Sequence, residues 1–89
     1  MNTHIIFQRT CMAYLEQYDA YRRDGKLVAY LRLRQGRFTV CCTDVEGDIV
    51  YEAYPNGQGQ FEDDEREHYI GAAAIAITEW LDIHENEIN

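Results

Sequence analysis

Residues 27–43 read LVAYLRLRQGRFTVCCT, two alternating runs on either side of Gln35-Gly36. No other stretch limits the fold so tightly. Successive side chains of a strand point to opposite faces. Leu27, Ala29, Leu31 and Leu33 therefore share a face with Phe38, Val40 and Cys42. Val28, Tyr30, Arg32, Arg34, Arg37, Thr39 and Cys41 share the other. A two-residue turn sets Arg34 opposite Arg37. Counting outward then pairs Leu33 with Phe38, Leu31 with Val40 and Ala29 with Cys42. A slip by one residue would turn all of these apolar side chains into water, so the pattern specifies the register.

The flanking segments pass the same test. Asp24-Gly25 is a hairpin signal and predicts a strand over residues 17–23, with Ala20 opposite Ala29, Tyr18 opposite Leu31 and Arg22 opposite Leu27. After Thr43 the sequence DVEGD turns on Gly47. With Thr43 facing Asp48, Cys42 meets Ile49, Val40 meets Tyr51 and Phe38 meets Ala53. Residues 5–12, IIFQRTCM, are short and rich in β-branched and aromatic types, and read as a further strand. Residues 13–17 read as a loop, and so do residues 55–61, PNGQGQF.

A helix follows. Asp63 or Asp64 is placed to cap it, and Glu67 completes a capping box with Asp64. Tyr69, Ile70, Ala73, Ala76, Ile77, Trp80 and Leu81 form one apolar stripe at helical period, with Ile75 stranded on the polar side. The polar tail HENEIN is expected to fray. The expected fold is α+β: an antiparallel β-meander of four to five strands with one C-terminal α-helix packed on one face, in a single small domain over residues 1–89. Were the N-terminal segment helical instead, the element order would be that of a double-stranded-RNA-binding domain. Such domains carry basic residues at the start of the last helix, where this chain has Glu62, Asp63, Asp64 and Glu65, which would repel phosphates.

Charge divides the chain. Residues 1–43 carry seven basic and three acidic side chains, a balance of +4, whereas residues 44–89 carry Arg66 against thirteen acidic ones, a balance of −12. No apolar run reaches the roughly 20 residues that span a bilayer. No leader-like segment opens the sequence, and three cysteines lack framework spacing. The expectation is a cytoplasmic protein without a membrane partner. His4, His68, His84, Cys11, Cys41 and Cys42 show no metal-ligand spacing. No motif for a nucleophile or a phosphate loop is present, so neither an enzyme nor a cofactor is expected.

Two surfaces remain as candidates. Asp44, Glu46, Asp48, Glu62, Asp63, Asp64, Glu65 and Glu67 would form a negative ridge if the loop after Asp48 and the helix start shared one edge. Such a ridge can take the place of nucleic acid in another protein's basic groove. In size and charge the chain resembles the small acidic proteins of phages and mobile elements that block nucleases. The expected function is thus a non-enzymatic acidic protein-binding module, acting as a nucleic-acid mimic that inhibits a host nuclease or other defence protein. The alternative is a nucleic-acid-binding sheet face carrying Tyr30, Arg32, Arg34 and Arg37. Against it stand the overall acidity and cross-strand pairing with neighbours such as Glu52. A third reading is a small homodimer that pairs through the open sheet face or a sheet edge. It draws on Val28, Tyr30, Cys41 and Val50 as a partly apolar strip away from the helix.

Overall fold

A computed structural model describes residues 5–11, 15–42 and 48–88, with helix side chains described through residue 83. Five antiparallel strands form one sheet in sequence order. They are β1 (Ile6–Cys11), β2 (Gln17–Tyr21), β3 (Leu27–Arg34), β4 (Arg37–Cys42) and β5 (Ile49–Ala53). A single helix, α1 (Asp63–Ile88), lies across the inner face of β3, β4 and β5. The molecule is an α+β meander with one covered and one open sheet face.

The central hairpin has the register that its alternation demands: Leu33 opposite Phe38, Leu31 opposite Val40, Ala29 opposite Cys42. Its turn places Gln35 at φ 53° and Gly36 at φ 77°. Two successive positive φ values match the twist of the flanking strands. The inner residues of β3 and β4 are buried together with Ala73, Ile77, Trp80 and Leu81 from the predicted helix stripe. Ile75 is 63% exposed on the outer side.

Three slips separate the sheet from the simplest pairing. The β2–β3 turn is longer than expected. Arg22 N–H donates to Lys26 O, so Arg22 faces Lys26 and Leu27 faces Tyr21. A bulge at Val28 restores the expected pairing of Ala20 with Ala29 and buries Val28 beside it. A second bulge, at Val50, sets Ile49 opposite Cys41 instead of Cys42, and Val50 packs against the core while Ile49 is exposed. A bulge gives one strand an extra residue and so re-aims its neighbours. The expected outer strip thus loses Val28 and Val50 to the interior. The third slip, at Thr10, lets Cys11 pair with Gln17.

The helix also differs at both ends. It begins at Asp63, so Glu62 is the N-cap and Glu65, not Glu67, closes the capping box by accepting from Glu62 N–H at 2.9 Å. The backbone stays helical through Ile88, since neither Gly nor Pro interrupts the tail that was expected to fray. Twenty-six residues span about 39 Å at 1.5 Å each, which accounts for the 40 Å long axis of the molecule.

Candidate functional site

At the end of the sheet marked by Gln35-Gly36, the segment between β5 and α1 is not a free loop. Pro55, Gly57, Gly59 and Phe61 are buried on alternate residues, as in an extended strap. Gly36 N–H donates to Gln58 O at 2.6 Å and Glu16 N–H donates to Gly59 O at 2.7 Å. Glu65 holds the strap from the helix side, its carboxylate accepting from Asn56 N–H at 2.9 Å and Gly57 N–H at 2.8 Å. Burial would raise the Glu65 pKa, but the three backbone donors outweigh it and hold the carboxyl below its ordinary value. A Cβ on Gly57 would stand 2.0 Å from Gln60 O, so only glycine fits there. Phe61 completes an aromatic group, stacked on Tyr69 at 5.6 Å and edge-on to Phe38 at 5.0 Å.

Under the strap lies Glu16, a buried carboxylate that follows Leu15 at φ 66°. Arg66 donates to it twice, Nε to Oε2 at 2.7 Å and Nη2 to Oε1 at 3.1 Å. Phe61 N–H donates to Oε1 at 3.0 Å, and Tyr18 Oη donates to Oε2. Arg9 Nη2 stands 3.6 Å from Oε1, an ion pair too long for a hydrogen bond. Burial pushes the Glu16 pKa up, yet the bonds from Arg66, Tyr18 and Phe61 outweigh it and hold it below the ordinary value. Burial and the neighbouring Glu16 carboxylate push the Tyr18 phenol up to about 12. Sequence reasoning placed Glu16 at the edge of a loop and missed this cluster. The available signal was Arg66, a single cation among thirteen carboxylates in residues 44–89.

These bonds redistribute the expected acidic ridge. Asp44 and Glu46 lie outside the described residues. Asp48 precedes β5 at one end of the sheet, whereas Glu62, Asp63, Asp64, Glu65 and Glu67 follow it at the other. Among the described residues, then, Asp48 does not join the helix-start carboxylates on one edge. Glu65 is committed to backbone amides, and Asp63 accepts from Arg66 Nη1 at 2.9 Å. Glu62, Asp64 and Glu67 remain exposed without an ion pair among the described residues.

No family model matches the chain, and no curated protein or solved structure matches it. Its own surfaces are what bears on function. Among the described residues no His, Cys, Asp and Glu gather into a group that could hold a metal ion. No described helix is long and apolar enough to cross a membrane.

The outer face of α1 is continuous. Asp64, Glu67, Gly71, Ile75, Glu79 and Asp82 are all exposed and fall within an arc of about 120° at 3.6 residues per turn. Two acidic pairs thus flank Gly71 and Ile75, with Glu67 and Glu79 about 18 Å apart along the axis. The last turn holds no basic residue.

On the open sheet face, the registers align Gln8, Asp19, Tyr30, Cys41 and Ile49 in one row, and Gln17, Arg32, Thr39 and Glu52 in the next. Tyr30 lines a depression of about 480 Å³ with Thr10, Asp19 and Cys41. Arg34 and Arg37 lie beyond it and share only Arg32 with it. Arg37 pairs with Glu52, as cross-strand neighbours would, and Arg32 Nε donates to Gln17 Oε1 at 3.2 Å.

Proposed function

We propose that the protein is a non-enzymatic binding module whose α1 outer face fills a basic groove on a protein partner, in the place of nucleic acid. One observation carries this reading. The only Lys or Arg of α1, Arg66, is turned inward onto Glu16, which leaves the exposed face with Asp64, Glu67, Glu79 and Asp82 around Ile75. An apolar centre rimmed by polar groups is the common anatomy of a protein interface. Inhibition of a nuclease or other defence protein follows if the groove so filled is one that holds nucleic acid.

The test is quantitative capture. Wild-type protein on a resin should retain a partner from host lysate that duplex DNA competes off. Reversal of Asp64, Glu67, Glu79 and Asp82 to Lys should abolish retention, and Ile75→Ser should weaken it, with both variants folded by circular dichroism. If the reversed variant captures the partner undiminished, while Arg32, Arg34 and Arg37 changed to Glu lose it, the helix reading fails and the sheet face is the site.

A further inference from the structure

At the turn end of the open face, Arg32, Arg34, Gln35, Arg37, Thr39 and Tyr54 surround a depression of about 450 Å³. That size lies within the range of small-molecule sites. Arg34 and Arg37 face each other directly in register. Like charges so placed destabilise a sheet. Glu52 offsets one of the three guanidinium groups, through Arg37, and among the described residues Arg32 binds the neutral Gln17 amide and no carboxylate. Arg34 makes no ion pair among the described residues. The depression therefore carries a local surplus of two positive charges in a chain of net charge −8. From these observations we infer that it binds a small phosphate monoester bearing an aromatic ring, of the class of a nucleoside monophosphate.

Guanidinium forks match the paired oxygens of a phosphate, and Gln35 and Thr39 add neutral hydrogen-bonding groups. Tyr54, 71% exposed at the rim, offers a ring on which a base can stack. The size of the anion follows from screening. The acidic outer face of α1 is turned away from this side of the sheet, so solvent salt screens it from the depression more than the arginines that line it. One phosphate at the depression senses the local arginines. A long polyanion also meets the field of the whole acidic molecule, which opposes it. Because α1 is on the opposite face, the depression can be filled whatever the helix binds.

Amide chemical shifts in the full-length protein, titrated with adenosine monophosphate, inorganic phosphate and adenosine, test this inference. Saturable shifts are expected at residues 32–39 and Tyr54, with the nucleotide binding at least about threefold more tightly than phosphate, since the ring adds a contact. Arg34→Gln should weaken nucleotide binding about tenfold, the loss of one charge-assisted contact, while Arg22→Gln at the remote turn leaves it unchanged. Tyr54→Ala should bring the nucleotide down to the affinity of phosphate. Absence of saturation up to about 10 mM, a range that covers weak binding, would overturn the inference. So would equal affinity for nucleotide and phosphate, or an unaffected Arg34→Gln. Tighter binding of a single strand of about ten nucleotides than of the mononucleotide would also overturn it, and make the face a track for nucleic acid.

Discussion

Replacing Glu16 with Gln alters one charge in the one polar side chain buried among the described residues. The amide keeps an oxygen for Phe61 N–H but turns an NH2 group toward the Arg66 guanidinium, donor against donor. The bond from Arg66 Nε to Oε2, at 2.7 Å, is lost, and the bond from Nη2 to the retained oxygen, at 3.1 Å, loses its charge assistance. Arg9 and Arg66, with side chains 22% and 26% exposed, are left without a buried counter-charge. Charge-assisted hydrogen bonds contribute about 1.5–3 kcal/mol each, and partial exposure of the guanidinium groups reduces that. The expected cost is about 3 kcal/mol, the lower end for breaking a buried pair. A domain of this size has roughly 5–10 kcal/mol in all. With a urea slope near 1 kcal/mol/M, the midpoint should fall by about 2–3 M. The buried Trp80 reports the transition by fluorescence.

The sign of the pH dependence provides a second check. Glu16 holds its proton less tightly when folded than when unfolded. Its stabilisation is therefore complete above the unfolded value of 4.5 and is lost as pH falls through the lower folded value. The gap between wild type and Glu16→Gln should narrow on acidification. A midpoint shift below about 0.5 M, or an equal acid dependence in both proteins, would refute the reasoning.

Leu31→Ala should cost about 2–5 kcal/mol in urea melts because Leu31 is wholly buried, whereas Arg34→Ala on the exposed hairpin should cost under about 0.5 kcal/mol. Glu65→Ala removes the acceptor for three backbone donors. It should cost about 1–3 kcal/mol and speed hydrogen exchange at Asn56 and Gly57, well before the core amides. Tyrosinate absorbance should show one of the seven tyrosines titrating at about 12, and Tyr18→Phe should remove that step. Because the Tyr18 pKa is raised on folding, its share of stability is present below the unfolded value of 10.0 and is lost as pH rises through about 12.

The hairpins and helix stripe were legible because period-2 and period-3.6 patterns are local and repeated. Leu31, Val40, Ala73 and Ile77 each have neighbours that agree with them. The bulges at Val28 and Val50 were not legible, since an added residue leaves composition and alternation almost unchanged. The N-cap was ambiguous for a related reason: Glu62 to Glu65 are four carboxylates in succession, and any of them suits a first turn. Glu16 was hidden because two of its partners, Phe61 and Arg66, lie 45 and 50 residues away. A lone glutamate beside a strand ordinarily reads as solvated. Of the two candidate surfaces, the arginine trio was readable from the strand register, but the isolation of the helix carboxylates depended on where Arg66 turned.

The bond from Arg66 to Glu16 also bears on the order of folding. Bringing its ends together closes a loop of 50 residues, which costs about 3.5 kcal/mol of chain entropy by the (3/2)RT ln n relation. The four hairpins of the meander close far shorter loops and come first on that scale. On that scale Arg66 is expected to find Glu16 after β2 is paired and the strap has crossed the sheet end, on the far side of the transition state. Weakening it should leave the refolding rate nearly unchanged and appear as faster unfolding. The lifetime of the native molecule, more than its rate of formation, is what this buried carboxylate sets.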